Sequence, residues 1–360
     1  MGLASRRALV QKLRARQARI ANHSPNKFAA YQMVKHLTTT SAEGVKPRTA
    51  SVFFDKSNAR LGNALVSEFS RRGIRTSGIG VIDSDAKTKM NLRGVQRQAR
   101  ADAVVFVARD KGQAHERLWG SLIDQAEARS KTRVGTRLVD AYGMKNAATR
   151  RTLALTAQQQ RAMRAFSQKT FDAVKGSKRI VVKSPNGTNL VFDLSSRIRW
   201  LQDRGVISKN YWGNLPAGEV WTSPLRVNGT FVIDGFAYGL GNLKATPVRG
   251  IIKDSRVVLS SVSCASLAVR EKFIQQLKSD KNSSRVGELG LGTNVAIKKE
   301  TGIILTDEKI PGVHIAFGDP LSHDSGARWA SEQHNDGVIR NPTIIVDGRT
   351  IMREGKSLLR

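Results

Sequence analysis

The sequence contains a single cysteine, Cys264, among its 360 residues. One thiol cannot close an intramolecular disulfide, and it excludes zinc or iron–sulfur sites built from several cysteines. The sequence also has no apolar run of the roughly 18–20 residues that a membrane-spanning helix requires. No apolar core follows the basic start, as a secretory signal would demand. We therefore expect no membrane association, and the scarcity of cysteine suits a reducing compartment.

Acidic residues are scarce, because 29 Asp and Glu stand against 60 Lys and Arg, for a formal net charge of +31. Residues 1–200 hold 39 basic and 13 acidic side chains, a net +26, whereas residues 201–360 hold 21 and 16, a net +5. This asymmetry indicates a polyanionic partner for the first half, such as nucleic acid. The alternative is a generally basic surface without a specific partner.

Residues 1–45 form a basic N-terminal extension. Ten Lys or Arg fall within residues 1–50, and the first acid is Glu43. Between Arg6 and Ile20, apolar residues alternate with Arg, Lys and Gln, which suits a basic helix. Three interpretations compete: a transit peptide to a mitochondrion or another organelle, an anion-binding arm, and a solvated helix packed on the domain. The last two are favoured together.

Residues 46–176 alternate between strand and helix patterns. The predicted strands are Thr49–Phe54, Ile74–Ile82 and Ala103–Ala108, and helices are predicted up to Arg72, up to Arg100 and over His115–Arg129. Such alternation predicts a mostly parallel sheet with helices on its faces. The first strand is followed by DKSNARLG rather than by a glycine-rich phosphate loop, so a nucleotide site is not indicated there.

A domain boundary is predicted near residue 176, after a long helical run over Asn146–Val174. Residues 177–360 are rich in Gly, Asn-Gly pairs and Val/Ile runs, and begin with a hairpin of Arg179–Lys183 and Leu190–Leu194 around the turn Pro185-Asn186-Gly187. The predicted fold class is α/β, with an amino-terminal parallel-sheet domain followed by an α+β metal-binding domain that has a mixed sheet. The metal assignment depends on the polar residues of this second half.

Six polar residues of the second half lie in apolar, glycine-rich segments. They are Glu219 in NLPAGEVWTSP, Glu288 in GELGLGTN, Glu308 and His314 in DEKIPGVHIAFGDP, and His334 and Asp336 in HNDGVIRNPTIIVDG. A carboxylate in a tight Gly-flanked turn is costly unless it is paired or binds a cation. Histidine with carboxylates is the ligand set of zinc, cobalt, manganese or non-haem iron. His334 and Asp336 share one face of an extended strand, where they can converge on one ion.

Each of these residues also has a simpler interpretation. A Gly-flanked Glu is most often a turn or salt-bridge residue, His314 could be a satisfied core histidine, and His323 a plain loop residue. However, His314, His323 and His334, three of the six histidines, fall within 21 residues and beside several carboxylates. That clustering favours a metal site.

These segments, with NGTFVIDG, SPNGTNLVFDL and GVKPRTASVFF, resemble the signature segments of the aminopeptidase T family of leucyl aminopeptidase-like enzymes. The similarity is dense from about 180 to 350, thin from 45 to 180 and absent over roughly the first 30 residues. The resemblance implies a cytoplasmic homodimer that releases N-terminal residues from peptides. It further implies two divalent ions (zinc, cobalt, manganese or magnesium) bound by Glu219, Glu288, Glu308, His314, His334 and Asp336, with Glu288 as bridge or base.

The family also carries a tyrosine seven residues after the histidine that matches His314, and this tyrosine is thought to help the reaction. Here that position is Leu321, which cannot donate a hydrogen bond or a proton. Ser322 and His323 are adjacent and could substitute for it. Leu321 and the basic first half therefore leave open a catalytically impaired relative that binds RNA or a ribonucleoprotein.

A second rival is a non-haem iron oxygenase. Ring-cleaving dihydroxypyridine dioxygenases are distant relatives within the same resemblance. His314, His334 and Asp336 alone would satisfy the two-histidine, one-carboxylate triad of such enzymes. Retention of the three glutamates argues against this chemistry, because an iron oxygenase needs open coordination positions rather than additional carboxylates.

Overall fold

The structure is a computed structural model that describes residues 25–38, 46–81, 100–109, 136–207 and 212–359. The chain divides into two compact units, residues 1–157 with 206–216, and residues 158–205 with 217–360. This division differs from the boundary predicted near 176, because the helix that precedes residue 176 belongs to the second unit. The helices predicted over Arg6–Ile20, up to Arg100 and over His115–Arg129 lie outside the described residues.

The first unit contains a five-stranded parallel sheet in the order β2-β1-β3-β4-β8. Its described elements are α1 (Pro25–Thr38), β1 (Thr49–Phe54), α2 (Ala59–Arg71), β2 (Arg75–Val81), β3 (Ala103–Val107), β4 (Arg137–Ala141), α3 (Ala147–Thr152) and β8 (Trp212–Asn214). Every residue of β3 and β4 is buried, and β3 (AVVFV) is the continuous apolar run that is typical of a strand in a parallel sheet. The three strands predicted for this region and the parallel sheet are confirmed.

The single long helix predicted over Asn146–Val174 is wrong, because two helices occupy this region. α3 ends at Thr152, and α4 spans Ala157–Val174. Short i→i+3 hydrogen bonds from Leu153 N to Arg150 O and from Ala154 N to Arg151 O tighten and end the last turn of α3. No described helix is both long enough and apolar enough to cross a membrane.

The second unit contains an eight-stranded sheet (β14-β13-β10-β6-β5-β18-β19-β20) and a seven-stranded sheet (β12-β11-β17-β16-β15-β9-β7). After α4, its elements are β5 (Arg179–Lys183), β6 (Asn189–Asp193), β7 (Leu201–Asp203), β9 (Glu219–Thr222), β10 (Arg226–Ile233), β11 (Phe236–Ala237), β12 (Gly241–Asn242), β13 (Val248–Lys253), β14 (Arg256–Val257), α5 (Leu267–Leu277), β15 (Val286–Gly292), α6 (Ile304–Asp307), β16 (Gly312–Gly318), α7 (Ser322–Ser325), β17 (His334–Ile339), β18 (Thr343–Val346), β19 (Arg349–Arg353) and β20 (Lys356–Ser357).

Strand pairing in these two sheets is antiparallel. The hairpin predicted around Pro185-Asn186-Gly187 is present as β5 and β6. The predicted fold class is confirmed: a parallel sheet in one unit and a second unit with its own sheets and helices. Parallel and antiparallel pairing are thus divided between the two units, rather than combined in a mixed sheet of the second.

One apolar core joins the two sheets of the second unit. Phe231 of β10, Phe273 of α5 and Phe317 of β16 are mutual neighbours, with ring centroids 5.5 to 6.1 Å apart. Leu289 and Leu291 of β15 belong to the same core. The seven-stranded sheet therefore buries one face in apolar contacts, which leaves its opposite face to polar side chains.

Candidate metal centre

Strand alternation brings five of the six candidate ligands to the polar face of the seven-stranded sheet. They lie on four adjacent strands: Glu219 in β9, Glu288 in β15, His314 in β16, and His334 and Asp336 in β17. Directly paired residues share a face, and Glu288 pairs with Ala316, which in turn pairs with Asp336. The shared face expected for His334 and Asp336 is confirmed.

A β-bulge at Gly287 turns Glu288 towards this face. The pairing of β15 with β16 shifts by one residue between Val286 and Glu288. Val286 and Glu288 would share a face in a regular strand, yet Val286 lies in the apolar core. The extra residue re-aims the side chain that follows it. A Cβ at Gly287 would lie 2.6 Å from the carbonyl oxygens of Gly318 and Asp319, so the bulge requires glycine.

A second glycine of β15 provides the space for a histidine ring. Gly290 pairs with His314, and a Cβ added at Gly290 would lie 1.9 Å from His314 Nε2. The expectation that Glu288 lies in a tight Gly-flanked turn is wrong, because β15 pairs with β9 and β16 through this segment. Its glycines lie within the strand, and because they have no side chains they leave room for the groups of the site.

Glu308 reaches the centre from outside the sheet, directly after α6. The carboxylate of Asp307 accepts hydrogen bonds from Thr301 N, Thr301 Oγ1 and Gly302 N at 2.6, 2.8 and 2.9 Å. Asn294 N donates to the carbonyl oxygen of Lys309 at 2.8 Å. The backbone around Glu308 is therefore held on both sides.

Glu288 faces both histidines. Its Oε1 lies 3.1 Å from Nε2 of His314, and its Oε2 lies 3.4 Å from Nε2 of His334. His314 Nε2 also lies 3.6 Å from Glu219 Oε2, and His334 Nε2 lies 3.5 Å from Asp336 Oδ1. Glu288 thus presents one carboxylate oxygen to each histidine.

The six predicted ligands form three overlapping groups, in each of which the ligand atoms lie within 4.8 Å of one another. The groups are Glu219, Glu288 and His314; Glu288, His334 and Asp336; and Glu308, His314 and Asp336. Among the described residues, each group of this kind holds only one of the two histidines. The side chain of His323 is 77% exposed on α7, and His323 is in none of the groups.

Because these carboxylates and histidines lie close together and are buried, their pKa values are shifted. Burial raises the pKa of a carboxylate such as Glu288, but hydrogen bonds from His314 and His334 outweigh it and hold the pKa of Glu288 well below its usual range. Burial lowers the pKa of His314, yet Glu288 raises it to about 9. His334 follows the same balance, and Asp336 and Glu288 raise its pKa well above the usual range. Burial raises the pKa of Glu308 to about 7, against the attraction of Lys309.

A sequence profile of the thermophilic metalloproteases (M29) matches residues 144–349, more than half of the chain. The chain belongs to the M29 family. The predicted relation to the aminopeptidase T family is thereby confirmed. Members of this family are metal-dependent peptidases. All six candidate ligands lie within the matched residues.

Two solved structures resemble this M29 chain in fold. A 2,5-dihydroxypyridine dioxygenase from Pseudomonas putida is 14% identical, with a TM-score of 0.66 over 93% of this chain and 97% of that chain. Wild-type AmpT from Thermus thermophilus is 18% identical, with a TM-score of 0.63 over 93% of this chain and 99% of that chain. No curated protein matches the sequence. At these identities, the likeness establishes the shared fold.

The residues present suit the divalent metal that M29 chemistry requires. His334 Nδ1 lies 2.8 Å from the carbonyl oxygen of Asp319, which can accept its proton. Because Nδ1 is engaged in this way, Nε2 is the nitrogen that faces Glu288 and Asp336, the orientation that a metal-binding histidine needs. The remaining donors are carboxylate oxygens and a buried imidazole, all accepted by zinc, cobalt or manganese. Nδ1 of His314 is buried and has no hydrogen-bond partner among the described residues.

Sequence reasoning missed two residues that shape the centre. Lys309 is fully buried and lies 2.5 Å from Glu219 Oε1 and 2.8 Å from Glu308 Oε1. Asp319 holds His334 through its carbonyl, while its carboxylate accepts from Leu321 N and Ser331 N. The available signal for Lys309 was a single cation directly after the two acidic residues Asp307 and Glu308. The carbonyl of Asp319 carries no sequence signal.

Proposed function

We propose that this M29 protein is an aminopeptidase that releases N-terminal residues from peptides with two divalent metal ions. The observation that carries the proposal is the overlap of the three ligand groups through Glu288, which faces His314 with one oxygen and His334 with the other. Overlapping groups with a shared carboxylate suit two neighbouring cations. The proposed ligands are Glu219, Glu288, Glu308, His314, His334 and Asp336.

The residues of the proposed site would have separate roles in the reaction. When bound, divalent ions supply a water of lowered pKa and polarise the scissile carbonyl. Glu288 orients both histidines and would serve as bridge or base; as the base, it would take a proton from the attacking water at an oxygen left free of metal and return that proton to the leaving amine. Carboxylate oxygens of the ligand shell can accept hydrogen bonds from the free α-amino group of a substrate, which would favour cleavage at the N-terminus. His334 is 26% exposed while His314 is 1% exposed, so substrate would approach from the His334 side.

Hydrolysis of aminoacyl-anilides tests this function. The protein loaded with cobalt or zinc should cleave these substrates, and Glu288→Gln should lose about 10²–10⁴-fold in kcat, the range that a positioned proton carrier contributes. The matched control is Glu271→Gln, an exposed glutamate on α5, which should retain full activity. Equilibrium dialysis should find two ions per chain.

Absence of turnover in the fully loaded protein would refute the aminopeptidase assignment. Equal activity of Glu288→Gln and the parent would refute the role of Glu288. One iron per chain with oxygen uptake would favour the dioxygenase alternative. Against that alternative, no described ligand group combines His314 and His334 with Asp336, as a facial triad requires.

A second candidate function is binding of RNA or another polyanion, which the net charge of +31 favours. The replacement of the family tyrosine by Leu321 favours it as well, because it removes a hydroxyl from the neighbourhood of the centre. The two functions are compatible, since the proposed ligands lie in the second unit and most of the charge excess lies in residues 1–200.

A further inference from the structure

Lys309 is a buried cation inside a cluster of candidate metal ligands. Its side chain is 2% exposed, and its ammonium lies 2.5 Å from Glu219 Oε1 and 2.8 Å from Glu308 Oε1. Lys309 therefore contacts the Oε1 atom of each glutamate. The Oε2 atom of Glu219 instead faces His314 at 3.6 Å.

The position of Lys309 is fixed by its surroundings. Its backbone follows α6 and is held by Asn294 N, and Thr306 O accepts from its own N–H at 3.2 Å. Asp203 of β7, which pairs with Glu219 across the sheet, adds a third carboxylate to its environment. A lysine so enclosed by carboxylates and removed from solvent is unable to reach a peptide substrate.

We propose that Lys309 is a charge-compensating residue of the metal centre, because its ammonium is a permanent monovalent cation that contacts one oxygen each of Glu219 and Glu308. Each glutamate is thereby left with one oxygen for a metal. Lys309 also lowers the charge of the four carboxylate ligands from −4 to −3. This inference rests on the proposed metal centre.

Two consequences separate this role from mere packing. Without a metal, Lys309 is the cation that compensates Glu219 and Glu308, so its loss leaves buried charges unpaired and destabilises the protein. With a metal, its loss strengthens binding, because a unit positive charge that shares two carboxylates with a divalent ion repels that ion even at an effective dielectric constant of ~20. A lysine that only fills space would lower stability equally in both states.

Lys309→Met tests the proposal, because methionine keeps the length of the side chain and removes the charge. We expect metal-free Lys309→Met to melt at a lower temperature than wild type, and zinc to raise its melting temperature more than that of wild type. Titration calorimetry should give a zinc Kd that is lower by about ten-fold or more. The matched control is Lys175→Met, which removes an exposed lysine paired with Asp172 and should match wild type in both measurements.

A zinc Kd that is unchanged or weaker in Lys309→Met overturns the proposal, as does an equal loss of stability with and without zinc. If the variant is insoluble when it is made without metal, the proposal requires that zinc during expression restores a folded protein; a variant unfolded in both conditions overturns it. A wild type that binds no zinc, cobalt or manganese overturns the metal centre itself. That outcome is read from the wild type alone, so the two failures are distinguishable.

Discussion

Glu288 connects the two halves of the centre at the scale of single residues. It is 4% exposed and contacts one histidine through each oxygen, so its loss would remove a partner from both histidines. The other candidate carboxylates have their own fixed neighbours: Lys309 for Glu219 and Glu308, and His334 for Asp336. Buried charges persist only when they are paired in this way.

Leu321 offers a test of the missing hydroxyl. It adopts a left-handed backbone conformation with φ of 50° at the start of α7, and its N–H donates to Asp319 Oδ1 at 2.7 Å. If a tyrosine at this position assists the reaction, Leu321→Tyr should raise kcat on aminoacyl-anilides by about ten-fold or more, since proton donors contribute roughly 10²–10⁴-fold. Leu321→Phe is the matched control, because it adds the ring without the hydroxyl. Equal rates for the two variants would contradict the role of the hydroxyl.

Gly290 tests the space beside His314. A Cβ at this position would lie 1.9 Å from His314 Nε2, so Gly290→Ala must displace the ring. We expect zinc affinity, measured by calorimetry, to fall by about 10–100-fold, as it does when groups that orient a metal ligand are removed. Gly312→Ala in β16 is the control, since its Cβ would meet only ordinary contacts at 3.6 Å or more. Unchanged affinity in Gly290→Ala would exclude His314 from the ligand set.

At the scale of elements, the loop before β17 determines where this strand begins and therefore where its first residue, His334, lies. Asp280 lies after α5, and its Oδ2 accepts from Ser331 Oγ and Glu332 N, both at 2.7 Å. Its Oδ1 accepts from Asn282 N at 2.7 Å. Burial raises the pKa of Asp280, but these hydrogen bonds outweigh it and lower the pKa to about 2. A single carboxylate thus ties the end of α5 to the residues just before His334.

Asp280→Asn should loosen this connection, because an amide has one acceptor oxygen instead of two. The stability that Asp280 contributes is present above its unfolded pKa of ~3.9 and is lost as the pH falls through about 2. We therefore expect a lower urea midpoint than wild type at pH 7, and a difference that narrows from pH 4 to pH 2. Asp172→Asn, which changes an exposed ion pair, should leave zinc affinity unaltered, whereas Asp280→Asn should weaken it. A constant difference across this pH range would contradict the assigned pKa.

At the scale of the whole molecule, charge and chemistry lie in different parts of the chain. Residues 1–200 carry a net +26, while all six candidate ligands follow residue 201. Retention on immobilised heparin or RNA at rising salt tests whether the charge binds a polyanion. We expect log K to fall linearly with log salt, with a slope of about −0.9 for each phosphate contacted on a duplex, or −0.7 on a single strand.

A variant with Arg14, Arg16 and Arg19 changed to Gln should reduce the magnitude of that slope if the N-terminal extension takes part. If retention of the full chain did not change with salt, the charge would be that of a generally basic surface without a specific polyanionic partner. The homodimer, the cytoplasmic location and the organelle alternative remain predictions at this scale.

Much of the architecture was predictable from local patterns. AVVFV reads as a buried strand of a parallel sheet, and SPNGTN as a hairpin turn, because each signal lies within a few neighbouring residues. The break between α3 and α4 was not predictable, since no proline or glycine marks Leu153–Thr156. The strand position of Gly287 was not predictable either, because a glycine in a strand and a glycine in a turn look alike until the partner strand is known.

The amino-acid sequence alone determined the six candidate residues of the proposed centre and the family of the chain, because these follow from side-chain chemistry and from motif order. Only the tertiary structure decided that four strands and one loop converge, that a bulge aims Glu288 away from the core, and that Lys309 lies between two glutamates. The reason is that register, strand order and close approach arise between segments far apart in the chain. No pattern of neighbouring residues records those distances.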